Sequence, residues 1–429
     1  MSSIDTGAQA MKKNRSSIIP IIFTVFLDLL GLGIIIPILP AILLDPFNGI
    51  LPWTCTYPVR ILLYGFLVAS YPMAQFFGAP ILGTLSDGHG RKKILLISLL
   101  GTLIGYIILL YGILNENVWL LFLGRLIDGF TGGNISVAQS AIADISDEKS
   151  KARNFGLIGM SFGLGFVIGP FIGGKLSDYN VYSGFSYATP FYLAIALVII
   201  NLLLVMLIFP ETIKSKRIVK IDVFTGFKNI RNAFSFKKLR AMFLVVFFLN
   251  IGHNFFTQFF QVFLMGKFDF SQSKVADLFA YMGLWIAISQ GLIMRPLSKS
   301  FKPEQILKIS ILAAAFVLPL LILPNQAIWL YLIIPFVAIL QGMNQPNTSA
   351  VISNMTEVDK QGEILGINQS MQSLAQSVPP LIAAFVTSIN INIPIMLSAV
   401  ATLIAWIVFT IFFMGEKSEK KDPIQILLK

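Results

Sequence analysis

Apolar residues arrive along this chain in long blocks separated by short polar turns. A helix needs roughly 20 apolar residues to cross a bilayer's hydrocarbon, and twelve such runs occur, at about 17–44, 60–84, 93–114, 117–144, 153–176, 188–209, 240–264, 275–296, 305–324, 327–349, 362–386 and 389–414. One long polar interruption, Pro210–Arg240, divides six runs from six. The pattern predicts an all-α membrane protein with twelve transmembrane helices in two pseudo-symmetric six-helix bundles. The bundles are residues 1–209 and 240–414, joined by a cytoplasmic linker at 210–239 and followed by a cytoplasmic tail at 415–429. Within the linker, Val223, Phe224, Phe227, Ile230 and Phe234 alternate with polar and basic residues. That spacing fits a short amphipathic helix on the inner leaflet; a plain tether is the other reading.

The halves align without gaps at an offset of 210 residues. Gly132 falls on Gly342, Asn134 on Asn344, Ala141 on Val351, Asp144 on Asn354, Ser146 on Thr356, Asp147 on Glu357, Gly156 on Gly366 and Pro170 on Pro380. A duplicated unit with an even number of spans keeps its orientation, so the repeat is parallel. Such architecture places its substrate site between the halves near mid-membrane.

Composition sharpens this picture by exclusion. Only 12% of residues are charged, against 55% from the hydrophobic set, and two His with one Cys leave little from which to build a metal centre or a nucleophile–base pair. The lone Cys55 permits no internal disulfide, and packing is its expected role. The net charge of +11 is explained by position. With the first run entering from the cytoplasm, 27 Lys and Arg lie on the cytoplasmic side, while Arg60, Lys175, Lys267 and Lys274 lie outside and Arg125 is within a span. The positive-inside rule then puts both termini in the cytoplasm, with lipid headgroups as a second use for the basic surplus. The first run is too long for a signal peptide and lacks a small-residue cleavage site, so it is expected to stay as a span.

Ionisable side chains at mid-depth cost on the order of 3 kcal/mol and face a partner or a wet cavity. Asp28 lies roughly 15 Å deep in the first span. Arg125 and Asp128 lie one turn apart on one face of the fourth. Two readings are open: a structural ion pair of Arg125 with either acid, or a carboxylate that exchanges a proton as the cavity opens to alternate sides. The second is favoured, since three charges leave one acid without a dedicated partner.

Amides form stripes in the second half: Asn250, His253, Asn254, Gln258 and Gln261 on the seventh span, Gln341, Asn344 and Gln345 on the tenth, and Asn368, Gln369, Gln372 and Gln376 on the eleventh. They serve either as interhelical glue or as the wall of a hydrated substrate route, the favoured reading. With no mid-span carboxylate in this half, the wall is expected to bind by hydrogen bonds and by aromatic contact through Phe255, Phe256, Tyr281 and Trp285. His253 is read as an ordinary hydrogen-bonded histidine, with a second proton site as the alternative.

Between the second and third spans lies Gly83-Thr-Leu85-Ser-Asp87-Gly88-His-Gly90-Arg91-Lys92-Lys93. Its glycines allow a tight reversal, and Asp87 can accept from helix-end amides or pair with Arg91. This loop resembles the gating motif of the major facilitator superfamily, G-x-L-x-D-x-x-G-R-[RK], with Gly88 where a basic residue is usual. Asp28 to Gly31, Gly33, Pro37 and Pro40 resemble the first-span motif of tetracycline-type exporters in the twelve-span drug/proton antiporter branch. Gly124-Arg125 through Gly129 is similar to the fourth-span arginine motif. The glycines from Gly159 to Gly174, with Gly169-Pro170, are similar to the antiporter motif of the fifth span, and Pro210-Glu211-Thr212 resembles the family's exit from the sixth. Where tetracycline exporters carry a third-span acid and an eighth-span histidine, this chain has Gly105 and Ile286.

The resemblance implies the major facilitator fold and alternating access, with Asp28, Arg125 and Asp128 in proton coupling and Gly83, Asp87, Gly90, Arg91, Gly169 and Pro170 in gating. Small residues in the fifth span also have the plain reading of close helix packing. The expected activity is proton-coupled transport of a small amphipathic or aromatic molecule, with export favoured over movement of a metabolite or siderophore in either direction. A receptor, an enzyme or a channel is a remote rival. The expected partners are substrate, protons and membrane lipid, in a monomer of the bacterial inner membrane with no cofactor, metal or nucleic acid.

Overall fold

Each apolar run falls on helix. The computed structural model describes residues 2–47, 49–146, 148–213, 222–236, 239–355 and 361–414. The first half contains α1 (Ser2–Leu44), α2 (Tyr57–His89), α3 (Arg91–Leu114), α4 (Val118–Thr131), α5 (Asn134–Ile145), α6 (Glu148–Ser177) and α7 (Thr189–Leu207). A linker helix, α8 (Thr225–Ser235), follows. The second half contains α9 (Arg240–Phe268), α10 (Gln272–Ile288), α11 (Met294–Ser300), α12 (Pro303–Val317), α13 (Leu330–Met355), α14 (Gln361–Thr387) and α15 (Ile393–Val408). A π turn at Ser289–Ile293 joins α10 to α11. Thr356 and Glu357 of the repeat, Asp147, Lys360, part of the linker and the tail at 415–429 lie outside the described residues.

Among the described residues, nine helices are long and apolar enough to cross a membrane. The other three expected spans are also helical, and each has a reason to fall short on these criteria. The fourth is broken at Gly132–Gly133 into α4 of 14 residues and α5 of 12, each too short to cross alone. The fifth is glycine-rich, with an apolar portion at Gly163–Ser177. The eleventh, α14, has the length but is diluted by amides and serines.

The chain forms two compact units, Met1–Gly226 with Asp269–Gly283, and Phe227–Phe268 with Leu284–Lys429. The first part of the expected eighth span therefore packs with the first unit. There α1 lies along α6, and α4 lies against α2 and α3. A side-chain carbon on Gly105 would stand 3.1 Å from the Gly124 carbonyl, and one on Gly124 would stand 2.9 Å from the Gly105 carbonyl. This backbone-to-backbone approach of α3 and α4 admits only glycine. Gly33 and Gly169 do the same for α1 and α6 at 2.7–2.9 Å. Pro170 sits inside an α6 that runs unbroken through it, and Gly165, Gly169 and Gly173 pack against α1 along it.

In the second unit, α9 packs against α14 and α15, and α12 against α13. Met242, Val245, Leu307, Ile367, Ala405 and Phe409 form one buried cluster there. The linker helix α8 rests on this cluster through Ala233 and Ile230, and its Asn229 Nδ2 donates to Ser370 Oγ at 3.0 Å. Phe224, Phe227 and Phe234 remain exposed.

Arg60, one of the four cations expected outside, has a structural use invisible in the charge count. Arg60, 1% exposed, donates to the carbonyls of Cys55 at 3.0 Å, Leu43 and Asp45 at 3.1 Å, Leu51 at 3.2 Å and Pro52 at 2.7 Å. Its guanidinium thereby folds the 45–56 loop onto the end of α1. Arg60→Ala strands several buried carbonyls and is expected to cost about 3–5 kcal/mol, read as a lowered thermal midpoint of the purified protein. Arg60→Lys, with three donors on one nitrogen, is expected to fall between.

Candidate functional site

The three mid-membrane charges meet in the first unit. Asp28 of α1 is 5% exposed, and Arg125 and Asp128 of α4 are 4% and 3% exposed. Asp128 is in electrostatic reach of both Asp28 and Arg125. Yet no nitrogen–oxygen contact within 4.0 Å joins them among the described ion pairs. Arg125 instead lays its guanidinium over the Tyr71 ring of α2, 4.6 Å from the centroid. Its Nε and Nη1, and Asp28 Oδ2, are buried without a hydrogen-bond partner.

The surrounding residues were not singled out by pattern. Thr102 faces Asp128, and Asn134 faces Asp28. The Tyr106 hydroxyl fills the space over Gly31. A carbon on Gly105, the third-span position that lacks an acid, would stand 3.0 Å from the Asp128 Cβ. The acid at Asp128 therefore borders that position from the next helix.

The break in the fourth span sits directly below. Gly132 N closes α4 onto the Asp128 carbonyl at 2.7 Å, Gln75 Nε2 donates to the Gly132 carbonyl at 3.0 Å, and Ser136 Oγ donates to the Ala79 carbonyl at 2.9 Å. The chain then restarts as α5 at Asn134.

The amide stripe of α9 mostly bonds to its own helix. Asn250 Nδ2 donates to the Val246 carbonyl at 2.8 Å, Asn254 Nδ2 to the Asn250 carbonyl at 2.8 Å, Gln258 Nε2 to Asn254 Oδ1 at 2.9 Å and Gln261 Nε2 to the Gln258 carbonyl at 2.6 Å. His253 is partly buried, its carbonyl accepting from Thr257 Oγ1 at 2.9 Å. Across helices, Ser310 Oγ donates to Asn344 Oδ1 at 2.7 Å. Gln341 Oε1 and Asn368 Oδ1 are buried without a hydrogen-bond partner, Gln372 and Trp285 are partly buried, and Gln345 is exposed. Tyr281 lies in the 269–283 segment of the first unit and is partly buried. Phe255 and Phe256 are buried, and the Phe256 ring lies tilted against Phe260 with centroids 4.6 Å apart.

In the loop between α2 and α3, Arg91 Nη1 pairs with Asp87 Oδ1 at 2.6 Å and donates to Ser86 Oγ at 2.5 Å, while Nε reaches Asp144 Oδ2 of α5 at 3.0 Å. Glu211 caps α3, accepting from Arg91 N at 2.8 Å and Lys92 N at 3.3 Å. A carboxylate at a helix N-terminus meets unsatisfied amides and the positive end of the dipole. Gly90 makes room for it, with φ of 109° and no side chain to strike Glu211. Gly83 lies against Ser136. Asp144 and Glu211 are thus added to the loop's network; their signal in the sequence was an acid at each of two span exits. At the other end of α6, Lys175 holds Asp277 Oδ1 at 2.9 Å and Ser273 Oγ at 2.7 Å of α10. No cluster of three His, Cys, Asp or Glu capable of holding a metal occurs among the described residues.

Comparison with known proteins agrees with this architecture. The chain is 31% identical over 371 residues to the class C tetracycline resistance protein of Escherichia coli, covering 86% of this chain and 89% of that one. It is 30% identical over 418 residues to the class H tetracycline resistance protein of Pasteurella multocida, covering 96% and 99%. A crystal structure of a D-xylose–proton symporter superposes with a TM-score of 0.75 at 15% identity, covering 92% and 96%. The family model of the Major Facilitator Superfamily matches residues 21–380 and 309–426, and this chain, an integral membrane transporter rather than an enzyme, belongs to that family.

Proposed function

We propose that the protein exports a small amphipathic or aromatic molecule in exchange for protons, with tetracycline the first compound to try. The observation that carries this reading is the buried group of Asp28, Arg125 and Asp128, in which Arg125 rests on an aromatic face and Asp28 keeps an oxygen without a hydrogen-bond partner. A charge so placed is stable only with compensation. When the cavity faces the acidic side, a carboxyl takes a proton; when it faces the cytoplasm, water solvates the ionised form and the proton leaves. Relatives named as tetracycline resistance proteins support the outward direction.

In this proposal residues 1–209 and 240–414 alternate the side to which the cavity opens, in a monomer of the bacterial inner membrane with both termini cytoplasmic. Gly169 and Pro170 keep α6 close to α1. The Asp87–Arg91–Asp144 chain, with Gly83 and Gly90 giving the backbone its turn, fixes the cytoplasmic ends of α2, α3 and α5 as one piece. The amides of α9, α13 and α14, with Tyr281 and Trp285, make the apolar-polar wall for the substrate.

Two measurements test this. In proteoliposomes with an imposed pH gradient, Asp28→Asn and Asp128→Asn are each expected to abolish uphill flux while keeping the wild-type elution profile in detergent; wild-type accumulation by both variants would refute the proton assignment. Asp144→Asn removes one anchor of Arg91, and is expected to slow turnover with little change in the substrate concentration at half-maximal flux. An unchanged rate would remove Asp144 from the gating network.

A further inference from the structure

The linker helix α8 turns an apolar face outward, and its depth along the spans points to what covers that face. One side of this eleven-residue helix is settled by the protein. Ala233 is 1% exposed, in a cluster with Met242 and Phe243 of α9, Leu307 of α12, Ile352 of α13 and Phe409 just beyond α15. Each of these partners lies within four residues of the end of its helix. Asn229 Nδ2 adds a hydrogen bond to Ser370 Oγ of α14 at 3.0 Å. Ser370 stands nine residues into the 27-residue α14, roughly 13 Å along a helix of about 40 Å. Centred on a hydrocarbon core of about 30 Å, α14 extends about 5 Å past each edge, which puts the Asn229 contact about 8 Å inside.

The other side of α8 carries Phe227 and Phe234, seven residues apart and each 50% exposed. At about 100° per residue, the two rings lie within about 20° of each other around the helix. Arg231 follows at about 40° and Lys228 at about 100° from Phe227, and both are exposed. Val223 and Phe224, just before the helix, lengthen the apolar stripe and are exposed as well. A helix lying in a bilayer interface is built this way. Its rings meet acyl chains, and cations on the border reach the headgroups while their stems stay in apolar surroundings. Charge then selects among lipids. Residues 210–240 carry nine Lys and Arg against Glu211 and Asp222, which matches a leaflet of anionic headgroups.

We infer that α8 seats in an anionic lipid leaflet, with Phe227 and Phe234 in the acyl layer and Arg231 and Lys228 against lipid phosphates. The linker is then a lipid-binding element and not a plain tether. This seat depends on the spanning helices and not on what the protein transports.

The test places a nitroxide on Phe234→Cys, with Ser235→Cys on the basic border as reference, in the full-length protein carrying Cys55→Ser. The protein is reconstituted in vesicles of phosphatidylcholine, alone or mixed with phosphatidylglycerol. Collision of the label with oxygen and with a water-soluble nickel chelate gives its depth. In mixed vesicles the label at 234 is expected about 5–10 Å below the headgroups, and the label at 235 nearer water. Arg231→Gln and Lys228→Gln are each expected to lower the ratio of seated to unseated label about fivefold in mixed vesicles, and to change it little in phosphatidylcholine alone. Should Phe234→Cys not fold, Phe227→Cys decides by the same readings. A label at 234 that meets nickel as freely as the label at 235 overturns the inference by putting this face in water. A label shielded from both colliders overturns it by assigning the face to protein, a second copy of the chain included. Equal seating in both lipids, unaffected by either glutamine, overturns it too, since headgroup charge then has no part.

Discussion

A permanent positive charge in a water-excluded helix bundle is the constraint around which the first unit is arranged. Arg125 cannot shed its proton in place of solvation, so the protein must supply a polar or polarisable environment. It supplies the Tyr71 ring and Asp128 at a distance, without a closed ion pair. A cation held over an aromatic face gains about 0.5–2 kcal/mol, less than a buried arginine needs by itself, and Asp128 adds compensation through space. Such loosely matched charge can be rearranged without first breaking a short, fully satisfied bond.

Glycine makes that arrangement possible. Gly105 and Gly124 bring α3 and α4 to close approach, and Asp128 lies against Gly105, 3% exposed. Gly33 and Gly169 do the same for α1 and α6, carrying Asp28 inward. Packing of this sort is stiff, and it leaves the break at Gly132–Gly133 as the interruption in a span that passes directly beside the charges. The lower end of the same unit is tied independently, through Arg91 with Asp87 and Asp144 and through Glu211 at the start of α3. Pro210-Glu211-Thr212, the exit from the sixth span, is therefore part of the loop structure between the second and third.

Much of this was legible in the chain. Hydrophobic blocks located the helices because the twenty-residue period of a bilayer is a strong filter, and rare charges located Asp28, Arg125 and Asp128 because lipid makes them expensive. Other features depend on contacts between residues far apart in sequence. The pairing of Lys175 with Asp277 joins helices about a hundred positions apart. Asn134 looked like one more aligned asparagine, and its approach to Asp28 exists only in three dimensions. The stripe on α9 was visible as a period, but a period does not say where the donors point; most bond to α9 itself. Phe255 and Phe256 read as wall along the sequence, and their burial is a matter of packing in three dimensions.

The Arg60 clamp gives the single cysteine an unusual setting. Cys55 is partly exposed, while its backbone carbonyl is gripped by a guanidinium that also holds Leu43, Asp45, Leu51 and Pro52. A spectroscopic tag on that thiol would ride on a backbone nearly as fixed as the helices beside it. Distances measured from it would report movement of the bundle, and the protein carries this reference point without any cysteine having to be added or removed.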